Sequence, residues 1–205
     1  MAGRIEIDIF STLDGVGQAP GGPEEDPSDG FTFGGWQAPL GDEETGKQIV
    51  AGIEALDALL LGRRTYDIFA SYWPLNGGNV IGDKFNAVPK YVASRGAPDL
   101  PWNNSHLVGD DLATELAVLK ERHENIHVVG SIDFARTLIA GGLFDQLNLW
   151  VYPIVLGQGK RLFPEGGLPA NLRLLEPPLA PGNAVLLRYG PAGGVPATGT
   201  MGPPD

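Results

Sequence analysis

An α/β domain with a mixed, mostly parallel sheet flanked by helices is the fold class this sequence predicts, and three observations predict it. Short strand patterns alternate with helical patterns through most of the chain, the order that builds a parallel sheet from crossover units. The C-terminal part is richer in strands than in helices, so the sheet is expected to be mixed. At 205 residues the chain fits one domain large enough to be stable unaided. That domain is expected over residues 1–190.

The elements follow in order. Arg4–Phe10 alternates Ile5, Ile7 and Ile9 with Glu6, Asp8 and Phe10, a strand with one buried face. Gly15 to Gly35 is rich in Gly, Pro and acids and reads as a long loop, which in a compact domain is functional or mobile. A helix is expected from Asp42 to Leu56, with Ile49, Val50, Ile53 and Leu56 on one face. Ala58–Leu61 is a short apolar strand ending at Gly62. Arg63–Tyr72 reads as a helix that Trp73-Pro74 stops. Tyr91-Val92-Ala93 is a strand, and Asp110 or Asp111 caps a helix running through Glu121. Ile126–Val129 is a β-branched strand leading through Gly130-Ser131 into a helix that ends at Ala140, before Gly141-Gly142. Leu147–Val151, Arg173–Leu175 and Ala184–Tyr189 complete the sheet. Residues 191–205, nearly all Gly, Pro, Ala and Thr, are expected to form a disordered tail.

Composition narrows the function. The net charge of −11 repels nucleic acid and anionic membrane surfaces, so neither is an expected partner. The absence of cysteine excludes disulfides, thiolate metal sites and a cysteine nucleophile. The N-terminus Met-Ala-Gly-Arg-Ile-Glu-Ile-Asp is charged where a signal peptide is apolar, and a cytoplasmic protein is expected.

Three strand ends share one character: Leu61-Gly62-Arg63-Arg64-Thr65, Val92-Ala93-Ser94-Arg95 and Val129-Gly130-Ser131. Ligands of open α/β sheets bind outside the carboxyl ends of the strands. Two of these ends open helices, whose free N–H groups and positive dipole suit phosphate. Three of the chain's few arginines, Arg63, Arg64 and Arg95, fall at these ends as partners for an anion. Taken singly, each piece is also an ordinary turn or a solvated helix start.

These segments, together with Ser11-Thr12-Leu13-Asp14-Gly15, Gly142-Leu143-Phe144-Asp145-Gln146-Leu147 and Pro153-Ile154-Val155-Leu156-Gly157-Gln158-Gly159-Lys160-Arg161-Leu162-Phe163, resemble the dihydrofolate-reductase-like family. That family includes the reductase domain of bacterial riboflavin-biosynthesis deaminase-reductases, and the resemblance runs from about Arg4 to Tyr189. It implies NADPH bound at the carboxyl edge of the sheet. Gly62, Arg63, Arg64 and Thr65 would hold its phosphates, Ser94 and Arg95 the 2′-phosphate, and Gly130-Ser131 the pyrophosphate. It also implies hydride transfer to a C=N or C=O carbon of a small heterocyclic substrate, pterin-like or aminopyrimidine/ribosyl. A homodimer is expected from the resemblance and from the apolar C-terminal strands.

The proton required by such a reduction is assigned to Asp14, with Asp42 second. Asp14 also reads as an Asp-Gly turn residue and Asp42 as the cap of its own helix. Trp36 and Tyr152 are candidates to stack on a flat substrate or to fill core. Two rival functions stand beside the reductase. One is a nucleotide-binding module without catalysis. The other is a zinc hydrolase using His123-Glu124-Asn125-Ile126-His127, a match to H-E-x-x-H. That chemistry needs one helix through both histidines, whereas Asn125 reads as a helix stop and Ile126 onward as a strand, so no metal is expected.

Overall fold

The sheet's centre is set by the isoleucines of the first strand, which stay buried while the residues between them do not. The computed structural model describes residues 2–202. In chain order its main elements are β1 (Arg4–Thr12), α1 (Glu43–Ala55), β2 (Ala58–Gly62), α2 (Arg63–Tyr72), α3 (Val80–Ala87), β3 (Lys90–Ala93), β4 (Ser105–Leu107), α4 (Leu112–Arg122), β5 (Asn125–Val128), α5 (Ile132–Ala140), β6 (Gln146–Tyr152), β7 (Leu172–Leu174) and β8 (Val185–Pro191). They form one sheet in the order β4-β3-β2-β5-β1-β6-β8-β7. Pairing is parallel from β4 to β6, and β8 runs antiparallel to both β6 and β7. This is the mixed, mostly parallel sheet that the strand-rich C-terminal part required.

Strand β1 lies between β5 and β6, so both of its edges are paired. Ile5, Ile7 and Ile9 pack with Leu60, Ile126 and Val128 against Leu116 and Leu119 of α4 and Leu138 and Ile139 of α5. On the opposite side Leu59, Leu61 and Val92 meet Tyr66 of α2 and Phe85 of α3. A third cluster, Trp36, Trp150, Tyr152, Phe31 and Val16, closes the β6 side. Clusters of this kind supply the burial that offsets chain entropy.

Two elements lacked a clear sequence signal. Helix α3 is short and follows Gly77-Gly78; Asn79 caps it by accepting from the Gly82 N–H at 3.0 Å. Edge strand β4 has three residues, too few to display a period of two. The tail expected from residue 191 starts inside β8, since Pro191 pairs with Leu172 and the Ala192 N–H donates to the Asn171 carbonyl. Residues 203–205 of that tail lie outside the described residues. Among those described, no helix is long and apolar enough to cross a membrane.

Candidate active site

At the carboxyl edge of the sheet the end of β2 and the turn after β5 meet with almost no space between them. A Cβ placed on Gly62 would lie 2.2 Å from Ser131 Oγ. Gly130 has φ +85°, a left-handed conformation that favours glycine, and a Cβ there would come within 2.9 Å of Thr65 Oγ1. Gly62, Thr65, Gly130 and Ser131 are thus brought together. Helices α2 and α5 start at this junction, and neither has a side chain capping its N-terminus. Their first N–H groups are left for solvent or a ligand.

A cavity of about 130 Å³ lies beside the junction, lined among others by Asp8, Thr65, Gly130, Ser131, Asp26 and Lys160. The long loop closes it. Asp26 accepts from Lys160 Nζ at 2.7 Å and stands 3.5 Å from Arg64. Burial works against the Asp26 charge, but hydrogen bonds from Lys160 and Ser28 outweigh it and hold its pKa below the ordinary value. Glu25 accepts from the Gly21 and Gly22 N–H groups, yet burial dominates and raises its pKa. Lys160 also anchors the loop through its backbone, donating its N–H to Gln18 Oε1 and accepting from the Gly17 N–H.

The arginines divide. Arg63 turns away to pair with Asp67 four residues on, at 2.7 Å, while Arg64 leans over the cavity toward Asp26 and Ser28. Ser94 and Arg95 follow β3, next to β2, and Arg95 is exposed with no ion pair among the described residues. Uncapped N–H groups, a backbone bared by Gly130 and the cations Arg64 and Lys160 line this cavity, a lining whose chemistry fits a phosphorylated group, while Arg95 is not among the cavity's lining residues.

Asp14 and Asp42 are committed elsewhere. Asp14 joins the first loop to the segment after β6: it accepts from Thr12 Oγ1 at 2.6 Å and from the N–H groups of Gly157 and Leu156 at 2.8 and 3.2 Å. Burial raises its pKa, but these bonds prevail and bring it down to about 2. Asp42 caps α1 through the Thr45 N–H and also accepts from the Asn183 N–H, which together lower its pKa to about 2. In each, hydrogen bonds to backbone N–H groups hold the carboxylate in its charged form. Trp36 and Tyr152 pack edge to face at 5.7 Å inside the third cluster. Trp36 donates to the Gln18 carbonyl and Tyr152 accepts from Gln37. Both are buried and neither lines the cavity.

The two histidines of the H-E-x-x-H match part company. His123 leaves α4 in an extended conformation and bonds Tyr91 Oη at 2.8 Å, whereas His127 sits within β5. No helical face carries both, which removes the zinc-hydrolase geometry.

His127 belongs to a polar strip that the strand-end reading missed. Its Nδ1 lies 2.7 Å from Asp8 Oδ2, and Asn148 Nδ2 donates to Asp8 Oδ1 at 2.9 Å. Gln146 donates to Asn148 Oδ1, and Gln146 and Asn148 both donate to Glu6. The available signal was the alternation of β1, which puts Glu6 and Asp8 on one face. Burial lowers the pKa of His127, but the Asp8 hydrogen bond and the charges of Asp8, Glu6 and Asp57 overcome this and raise it above 6.5.

The chain is similar in sequence to one known protein and in fold to several solved structures. YyaP of Bacillus subtilis strain 168, named as an uncharacterised protein, is 27% identical over 182 residues, covering 84% of this chain and 87% of its own. A protein from Shewanella sp. PV-4 whose name refers to riboflavin biosynthesis superposes with a TM-score of 0.63 at 20% identity, over 93% of this chain and 99% of that one. The dihydrofolate reductase of Enterococcus faecalis, solved with NADP(H), superposes with a TM-score of 0.57 at 13% identity, over 94% and 99%. At such identities the two superpositions establish the fold. The family described as the RibD C-terminal domain matches residues 4–178, and the chain belongs to that family.

Proposed function

We propose that this protein is an NADPH-dependent reductase acting on a C=N or C=O carbon of a small heterocyclic substrate, pterin-like or aminopyrimidine/ribosyl. The observation that carries the reading is the junction of Gly62, Thr65, Gly130 and Ser131, where two uncapped helix N-termini face one cavity. Such ends attract phosphate through N–H groups and dipole together. Family membership and the likeness to a reductase solved with NADP(H) support the same assignment.

The residues divide the work by position. Gly130 and Ser131 admit the pyrophosphate to the α5 N-terminus, and Gly62 leaves them the room to do so. Thr65 and Arg64 contact phosphate from α2, with Arg63 beside them. Ser94 and Arg95 read the 2′-phosphate. The cofactor supplies the hydride, while the protein fixes geometry and excludes water.

A cavity of about 130 Å³ is smaller than the roughly 300–1,000 Å³ of ordinary ligand pockets. Binding therefore requires Asp26 to yield Arg64 and Lys160 and the loop to lift. A homodimer is proposed as well, supported by apolar residues left exposed on the last strands, Leu174 and Val185. Fluorescence titration with NADPH and NADH tests the assignment, and light scattering across concentrations tests the dimer.

A further inference from the structure

We propose that Asp8 delivers the proton to the reduced substrate and that His127, behind it, positions Asp8 and holds that proton in reserve. The inference rests on the reductase reading and assigns the acid to a residue other than Asp14 and Asp42, whose carboxylates are engaged by backbone N–H groups.

Position comes first. Asp8 lines the cavity within reach of the Gly130-Ser131 junction, and its side chain retains 18% of its exposure, whereas that of His127 retains 7%. Both carboxylate oxygens are fixed, Oδ1 by Asn148 and Oδ2 by His127. A carboxylate lining a cavity and bonded to a more deeply buried imidazole is an arrangement that holds and moves a proton near neutral pH. Asp14, by contrast, spends its carboxylate on backbone N–H groups.

Hydride, with its electron pair, forms a bond to the substrate carbon, and the π pair of C=N or C=O moves onto nitrogen or oxygen. That atom takes the proton held between Asp8 and His127, which leaves His127 neutral. Water restores the proton, and the hydride is what NADPH would supply when bound, leaving as NADP+.

The charged groups around the pair are Glu6 and Arg4 on β1, and Asp57 before β2. Across the cavity stand Glu25, Asp26, Arg64, Asp133 and Lys160. The acids beside His127 favour its imidazolium, while Arg64 and Lys160 are turned to Asp26.

The test uses binding, so that it does not depend on knowing the substrate. The nicotinamide is cationic in NADP+ and neutral in NADPH, while the 2′-phosphate titrates alike in both. The ratio of the two affinities against pH therefore isolates charge at the nicotinamide end. Side-chain NMR of the three histidines, with and without each dinucleotide, reads His127 directly.

NADP+ is expected to lower the His127 pKa by about one unit and NADPH to leave it nearly unmoved. By linkage the NADP+/NADPH affinity ratio then rises about tenfold with pH across that titration. Asp8→Asn lowers the His127 pKa in the free protein and flattens the ratio, and His127→Gln, which removes the imidazole, flattens it too. Dinucleotides that bind without moving His127, or a ratio whose pH dependence survives in both variants, overturn the proposal. Failure of both dinucleotides to bind, with the Asp8–His127 titration intact, overturns the reductase reading itself and the proton step with it.

Discussion

Gly62 and Ser131 stand so close that the missing Cβ of one would occupy the space of the other's hydroxyl, at 2.2 Å. This contact joins β2 to the turn after β5 beside the cavity where the cofactor's phosphates are proposed to bind. Gly62→Ala must push Ser131 aside. Overpacking of this kind costs about 1–3 kcal/mol. The variant is expected to melt lower and to lose NADPH affinity by more than its stability loss explains. Thermal melts and titrations on one preparation check this, and unchanged affinity would show that Ser131 lies outside the cofactor site.

Arg95→Ala is expected to weaken NADPH and leave NADH nearly unaltered. Arg95 is exposed and unpaired among the described residues, so it has no internal role to lose. A charge-assisted hydrogen bond contributes roughly 1.5–3 kcal/mol, or about tenfold to a hundredfold in affinity. Added salt should weaken NADPH more than NADH for the same reason. Equal losses for both cofactors would show that Arg95 does not read the 2′-phosphate.

Asp14→Asn is expected to destabilise the fold at pH 7 by about 1.5–3 kcal/mol, the range for hydrogen bonds to a charged group. The folded pKa of about 2 lies below the usual 3.8. The stabilisation is therefore complete above about 3.8 and lost as pH falls through 2. Denaturation of wild type and variant should converge at low pH. A constant difference down to pH 2 would mean that the carboxylate charge contributes nothing.

Lys90→Met is expected to stabilise the protein at neutral pH by about 1–3 kcal/mol. Lys90 is fully buried on β3, bonded to the Asn86 carbonyl at 3.0 Å with its ammonium 4.3 Å from the Trp102 ring. Burial lowers its pKa to about 8, against 10.5 for a free lysine. With the folded pKa depressed, the cost of the charge is complete below 8 and relieved as pH rises toward 10.5. The advantage of the methionine should shrink over that interval. Melts across it decide, and a variant less stable than wild type at pH 7 would show that the aromatic contact and hydrogen bond outweigh desolvation.

What the sequence made legible was whatever depends on near neighbours. The alternation of Ile5, Ile7 and Ile9 marked β1, and Gly62 at the end of β2 with Gly130 after β5 marked the junction beside the cavity. Asp14 and Asp42 were read as acids because their partners are remote: Gly157 lies 143 residues from Asp14, and Asn183 lies 141 from Asp42. The polar face of β1 looked like a solvent face. Only the strand order, which puts β5 and β6 on either side of β1, turns Glu6 and Asp8 inward to meet His127 and Asn148. Trp36 and Tyr152 fill core for the same reason, since the loop that bears Trp36 folds back on β6.

Transfer of label from NADPH deuterated at C4 is the measurement that bears most directly on the reductase assignment. Protein, labelled NADPH and an acceptor with a pterin imine or an aminopyrimidine ribosyl group are mixed, and the product is read by mass spectrometry. Deuterium fixed on the acceptor carbon, in step with NADPH consumed and lost in Asp8→Asn, is the expected result. NADPH bound but left intact before every imine and carbonyl acceptor would contradict it and mark the protein as a nucleotide-binding module.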